Sequence, residues 1–428
     1  MTVQILHGDC RDVLATLPAE SVHCVVTSPP YWGLRDYGVA GQLGLERSLG
    51  DHVETMVAAF REVRRVLRKD GTLWLNYGDS YAANPNGRSA ADVKALGNDD
   101  RTFRDKPFST IGPIRAGNPD KNGGVSNRDG LASFDCGVLK PKDLCGIPWR
   151  VAFALQADGW WLRQDIIWSK PNPMPESITD RCTKAHEYLF LLSKSARYYF
   201  DAAAIAENAV RAGDIPGGTL GFLGDGANDG RLRKGLRSNG SVPVAAIRNK
   251  RSVWEVATQP FSEAHFATFP PALIEPCILA GTSANGCCAT CGAPWVREIE
   301  RQQTGRTQKM ADGWDTGKGG HDTIHRKGRE PGETGKPVMA AVTIGWSPSC
   351  ACDAAVVPCT VLDPFSGAGT TGLVADRLQR SAIMIELNPA YVAMACKRIV
   401  QDAPLFAKVA TNEPRPIAHA QGVAGSKR

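Results

Sequence analysis

Toward both ends of this chain short apolar runs alternate with amphipathic stretches, and that alternation constrains the fold most. Val3 to Leu6 is a short apolar run, Asp9 to Leu17 reads as a helix, and Val22 to Thr27 reads as a fully buried strand. Asp51 is placed to cap a helix whose apolar positions, Val53, Met56, Val57, Phe60, Val63 and Leu67, share one buried stripe. Gly71 ends it, and Thr72 to Tyr77 resumes as a strand. Pro148 to Ala157 reads as a helix, with strands at Trp161 to Trp168 and Glu187 to Leu192. The cycle returns with Thr360 to Asp363, Thr370 to Leu378, Ala382 to Glu386 and Pro389 to Ile399. Strands separated by helices must cross over to pair, which predicts an α/β fold with a doubly wound, mostly parallel sheet.

A chain of 428 residues exceeds one ordinary core and implies a large domain with insertions, or a second small domain. Periodicity lapses at residues 84–140, rich in Asn, Gly, Asp, Arg and Lys, which read as a surface insertion. It lapses again at the Gly-rich 201–260, where residues 205 to 252 carry eight Lys or Arg against four acids. That stretch is either solvated loop or a surface that meets phosphates. The net charge of +6 is compatible with a polyanionic partner without establishing one. The amino terminus lacks a signal-peptide pattern and no apolar run reaches the ~18 residues of a membrane span. A cytoplasmic protein with no membrane partner is expected, so its 13 cysteines are read as metal ligands before disulfides.

Two strand ends carry unusual chemistry. Thr27-Ser28-Pro29-Pro30-Tyr31-Trp32 ends the second apolar run, and its prolines have no N–H for a sheet ladder. The result is a stiff turn with an aromatic ring at its tip, and Trp32 is either pocket wall or packing. The Thr360–Asp363 run leads into Gly367-x-Gly369-x-x-Gly372, where backbone can approach a ligand and a helix N-terminus offers unpaired N–H groups. Glu386 closes the next strand, placed to accept hydrogen bonds from a ribose diol. A dinucleotide-binding oxidoreductase is the rival reading. A carboxylate at Asp363 would repel a pyrophosphate, and it suits a ligand with a positive amino group such as S-adenosylmethionine. Only one further strand–helix pair follows, too little for the second half of a dinucleotide fold.

Together the motifs resemble those of amino-group DNA methyltransferases. In that family D-P-F-x-G-x-G-T-T is the S-adenosylmethionine loop, here Asp363, Phe365, Gly367, Gly369, Thr370 and Thr371. The family's [S/D/N]-P-P-Y catalytic loop is here Ser28, Pro29, Pro30 and Tyr31. Gly8-Asp9 resembles the pair whose acid contacts adenine, and His265 to Pro276 resembles the helix preceding the cofactor loop. Catalytic loop first and cofactor loop last is the order of the permuted β group. The resemblance implies a circularly permuted S-adenosylmethionine-dependent methyltransferase fold, with its catalytic half in 1–80 and 141–200 and its cofactor half in 360–402. It places DNA target recognition in 201–260 and the helix before the cofactor loop in 261–286; residues 403–428 read as a flexible tail. Double-stranded DNA is the implied substrate, and a homodimer and a cognate restriction endonuclease are partners it admits. Asp9, Ser28, Asp363 and Glu386 all stand at strand ends, so they can converge on one cleft. A DNA-binding protein that keeps the fold without activity is the alternative from another class, and the intact motifs speak against it.

An exocyclic base amine is a poor nucleophile because its lone pair is delocalised into the ring. Ser28 and the Pro29 carbonyl can accept its two hydrogens, Pro30 stiffens the loop, and Tyr31 can stack on a base flipped out of the duplex. Within the family Ser-Pro-Pro leans toward cytosine N4, and Asp- or Asn-Pro-Pro toward adenine N6. The cysteines of Pro276-Cys277 and Pro358-Cys359 lie outside any separate catalytic loop and read as core. Cys288-Ala-Thr-Cys291-Gly has the form of a zinc knuckle, and Cys350-Ala-Cys352 supplies a second pair, so residues 287–359 read as a zinc-ribbon-like insertion with structural Zn2+. Cys287 is an alternative to Cys288, and free cysteines near a buried turn are the plainer reading.

Overall fold

A computed structural model of the chain describes residues 1–33, 38–82, 139–140, 142–208, 247–259, 268–306, 337–405 and 407–412. The 84–140 insertion up to residue 138, most of the 201–260 region, His265 and the tail beyond 412 lie outside the described residues. In chain order the strands are β1 (Val3–His7), β2 (Val22–Thr27), β3 (Leu67–Tyr77), β4 (Trp161–Ser169), β5 (His186–Ser193), β6 (Glu207–Asn208), β7 (Ile247–Arg248) and β8 (Val253–Glu255). They continue as β9 (Cys287–Cys288), β10 (Trp295–Arg306), β11 (Pro337–Pro348), β12 (Val356–Val357), β13 (Thr360–Asp363), β14 (Ser381–Glu386) and β15 (Val409–Thr411). The α-helices are α1 (Cys10–Thr16), α2 (Leu49–Val66), α3 (Ile147–Ala157), α4 (Pro271–Gly281), α5 (Thr370–Arg377) and α6 (Pro389–Asp402).

Among the described residues nine strands form one sheet in the order β15-β1-β14-β13-β2-β3-β5-β4-β8. Every neighbouring pair is parallel except the two that involve β5. The order reverses between β13 and β2, since β13 continues to β14 on one side and β2 to β3 on the other. All six residues of β2 are buried, as a strand covered on both faces requires. Against one face pack α2 and α3 around Met56, Phe60, Leu73, Val151 and Phe190. Truncating a buried side chain such as Phe60 to alanine costs about 3–5 kcal/mol.

Two local details depart from the sequence reading. The N-cap of α2 is Ser48, whose hydroxyl accepts from the Asp51 N–H while the Asp51 carboxylate accepts from the Ser48 N–H. Asp51 is thus the third helical residue of a capping box, not the cap. Leu67 belongs to β3: its backbone turns extended (φ −69°, ψ 136°) and pairs with Val22, so the helix ends before Gly71.

The chain divides into two compact units: Met1–Ala204, Arg251–Trp295 and Pro348–Arg428 form one, Ile205–Lys250 and Val296–Ser347 the other. The first contains the sheet. In the second, β6 and β7 pair antiparallel, with Glu207 3.5 Å from both Arg248 and Lys250. There β10 pairs with β11, and the Arg297 guanidinium lies 4.5 Å from the Trp346 ring centroid.

Candidate active site

A cleft opens at the carboxyl ends of β1, β2, β13 and β14, where ligands sit in doubly wound sheets. Register brings the ends level, with His7 opposite Glu386 and Asp363 opposite Met384. Of the sequence-predicted residues, Asp9, Ser28, Pro30, Phe365, Gly367 and Glu386 line this cleft. Gly367 has φ +47°, and a Cβ there would stand in open space rather than against protein. It is an open cradle that a substituted residue would fill, and its φ disfavours any side chain.

Glu386 holds the glycine turn by accepting from the N–H groups of Gly367 (2.7 Å) and Asn388 (2.8 Å). Burial outweighs these bonds and pushes its pKa up to about 7. Asp9 caps α1, and its carboxylate accepts from the Arg11 N–H (2.8 Å) and Nε (3.0 Å). Burial pushes the Asp9 carboxyl up, but the Arg11 bonds and charge hold it below the usual range.

Asp363 does not meet the cleft as the sequence reading expected. It is 1% exposed and accepts from the hydroxyls of Thr27 (2.6 Å) and Thr371 (2.7 Å) and the Phe365 N–H (3.1 Å). Burial raises its pKa to about 6. The carboxylate therefore ties β2, the glycine turn and α5 together and has no face left for a ligand's amino group. Thr370 and Thr371 are buried too: Thr370 accepts from Arg398 (2.9 Å), and Thr371 is spent on Asp363. Gly369 (φ +75°) is required by packing, since a Cβ would come within 2.7 Å of Ala395 Cβ.

The catalytic-loop candidates follow β2. Pro29 is buried, while Ser28 and Pro30 reach the cleft. The Tyr31 ring stacks on Tyr77 (centroids 5.3 Å, 21°), instead of standing free for a base. Its hydroxyl lies 3.0 Å from Glu187 Oε2, 3.3 Å from Asn76 Oδ1 and 3.3 Å from Ser28 Oγ. Burial, then the Glu187 charge, pushes the Tyr31 phenol well above its ordinary pKa, so it keeps its proton. Glu187 is ion-paired with Lys170, whose ammonium also lies 4.3 Å from the Trp168 ring centroid. Behind Tyr77, its hydroxyl meets His52 Nε2 (2.6 Å), and His52 Nδ1 meets Glu46 (2.7 Å). Trp32 is packing: fully buried, it donates from Nε1 to the Glu46 carbonyl (2.9 Å).

Sequence reasoning missed Asn76, Tyr77 and Glu187. The signal was the polar residues at one end of each of two apolar strands, Asn76-Tyr77 closing β3 and His186-Glu187 opening β5, which a sheet interior does not need. It also missed the cleft lining from Gly41, Gln42 and Leu43, which follow β2 in chain order, and from Asn388 and Tyr391 at the start of α6.

The cysteines behave as two groups. Cys288, Cys291, Cys350 and Cys352 bring their Sγ atoms within 4.8 Å of one another. Cys287 turns away from this group toward the Val357 carbonyl (3.5 Å). Cys277 and Cys359 are fully buried core residues.

The sequence profile of the DNA methylases that act at N6 or N4 matches residues 22–289 and 359–397. The Type II methyltransferase M.XycI of Xanthomonas campestris pv. cyanopsidis is 37% identical over 395 residues, spanning 92% of this chain and 87% of that protein. M.SmaI of Serratia marcescens, also a Type II methyltransferase, is 35% identical over 398 residues, 93% and 91% of the two chains. The solved PvuII DNA methyltransferase, cytosine-N4-specific, superposes with a TM-score of 0.46 at 15% identity, covering 97% of each chain. The chain belongs to the amino-group DNA methyltransferases, enzymes that take their methyl group from S-adenosylmethionine. Among the described residues no helix is long and apolar enough to cross a membrane.

Proposed function

We propose that this protein methylates the N4 amine of cytosine in double-stranded DNA, on a base flipped out of the duplex. The observation that carries the reading is the direction of the hydrogen bonds at the catalytic loop. Tyr31 has one proton, and both Glu187 and Asn76 Oδ1 can only accept it. The 3.3 Å contact with Ser28 must then run the other way, with the Ser28 hydroxyl donating to the Tyr31 oxygen. Ser28 Oγ is left with lone pairs only, so toward the cleft it accepts. That is what an amine needs when it must shed conjugation and become a nucleophile.

S-adenosylmethionine, when bound, supplies the electrophilic methyl group. The open cradle at Gly367 and the cleft walls at Asp9, Phe365 and Glu386 fit it, with Glu386 still offering lone pairs for a ribose diol. Ser28, which reaches the cleft, orients the amine and accepts one of its hydrogens. Serine rather than an acid or amide at position 28 supports cytosine over adenine. Relatives named as Type II methyltransferases support pairing with a restriction endonuclease. The cluster of Cys288, Cys291, Cys350 and Cys352 we assign to a structural zinc ion with no part in methyl transfer.

The test is incubation with methyl-labelled S-adenosylmethionine and mixed-sequence duplex DNA, followed by digestion to nucleosides. Label in N4-methylcytosine is expected. Label confined to N6-methyladenine would overturn the base assignment, and no transfer at any salt concentration would overturn the activity.

A further inference from the structure

Resting on the zinc assignment, we propose that the metal site is a fastener. It pins the points where the chain leaves and re-enters the sheet-bearing unit, and it is docked on the amino ends of β2 and β3, away from the cleft. The two ligand pairs bracket those points: Cys288 and Cys291 come just before Trp295, Cys350 and Cys352 just after Pro348. A tetrahedral thiolate site with Zn–S near ~2.3 Å places its sulfurs about 3.8 Å apart, compatible with four Sγ atoms all within 4.8 Å.

The backbone around the ligands is arranged for this. Gly292 (φ +68°) closes the knuckle, its N–H donating to the Cys288 carbonyl (2.8 Å). Val356 and Val357 of β12 pair antiparallel with Cys288 and Cys287 of β9, and the Ser349 hydroxyl donates to the Pro294 carbonyl (2.6 Å). Docking comes from two side chains on the sheet. Arg68 at the start of β3 donates to the Cys291 carbonyl (2.6 Å). His23 near the start of β2 accepts the Thr360 N–H on Nδ1 (3.0 Å), so its Nε2 carries the proton and donates to the Gly292 carbonyl (2.8 Å). That bonding also rules out the nearby trio of His23, Cys287 and Cys359 as a second metal centre, because neither ring nitrogen has a free lone pair.

The experiment uses the full chain, with metal analysis, cobalt substitution and hydrogen exchange. One zinc per chain is expected, and a cobalt form with the visible bands of a tetrahedral tetrathiolate. Stripping the metal with a chelator should speed exchange at least tenfold in residues 287–295 and 348–357, while S-adenosylmethionine affinity changes less than twofold. Cys350→Ser and Cys352→Ser should reproduce this without chelator. A metal-free preparation that takes up neither zinc nor cobalt overturns the zinc assignment itself. Bound zinc whose removal leaves exchange in those segments unchanged overturns only the fastener. Loss of cofactor binding in a chain that keeps its helical circular dichroism would place the metal in the cleft's support and also overturn it.

Discussion

Replacing Tyr31 with phenylalanine separates the hydroxyl from the ring. The ring can keep its stack on Tyr77, and the change deletes one oxygen that meets Glu187 at 3.0 Å, Asn76 at 3.3 Å and Ser28 at 3.3 Å. The bond to ion-paired Glu187 is the strongest of these, of order 1.5–3 kcal/mol. With it goes the acceptor that fixes the Ser28 proton, which is then free to turn toward the amine and oppose it. Losing most of that orientation should raise the barrier by about 1.4–2.8 kcal/mol, a roughly 10- to 100-fold fall in the rate of methyl transfer. Tyr31 does not line the cleft, so S-adenosylmethionine affinity should stay within about twofold. Single-turnover transfer to duplex DNA measures the first, and calorimetric titration with the cofactor measures the second. Ser28→Ala should be slow as well, and adding Tyr31→Phe to it should cost little more, because both act through one hydroxyl. A phenylalanine variant at full rate, or two losses that add in full, would refute the proposed hydrogen-bond direction.

Gly367→Val should weaken S-adenosylmethionine by about tenfold or more, since the branched side chain is strained at φ +47° and projects into open cleft space; titration calorimetry reads it, and unchanged affinity would remove Gly367 from the cofactor site. Asp363 carries a pH signature. Its pKa in the fold, about 6, lies above the ordinary 3.8, so its contribution to stability is fullest below pH 3.8 and is lost as pH rises through about 6. Urea unfolding of the cofactor-free protein should therefore show Asp363→Asn gaining on the parent between pH 4 and 6, by an amount of order 1–3 kcal/mol.

The middle of the sheet was legible because β2 and β13 are apolar runs buried on both faces that lead into prolines. Val22–Thr27 and Thr360–Asp363 stand in the structure with the bounds read from sequence. Boundaries set by hydrogen bonds were less so: Ser48 and Asp51 are both capping residues, and only the reciprocal bonds show which one caps. The glycine turn was legible as an open turn at the strand end, whereas the surroundings of Asp363 were not. Its residue type suggests a contact for a cation, yet its partners Thr27 and Thr371 come from other elements and enclose it. The support of the Ser28–Tyr31 loop was illegible for the same reason. Glu187 and Asn76 reach Tyr31 across 156 and 45 residues, and no local pattern announces such a meeting.

The position of β13 has a consequence for how the molecule comes into being. This strand lies near the middle of the sheet, between β14 and β2, yet it occupies residues 360–363. While the chain is being synthesised, β2 must wait with one edge uncovered, and β1 has neither of its neighbours, β14 and β15. Closure of the sheet is a late event that depends on contacts distant in sequence, which slows folding and exposes strand edges to other nascent chains. The same order acts as a safeguard: a ribosome that stalls before residue 360 releases the Ser28–Tyr31 loop with no glycine turn beside it, and so a chain without its cleft.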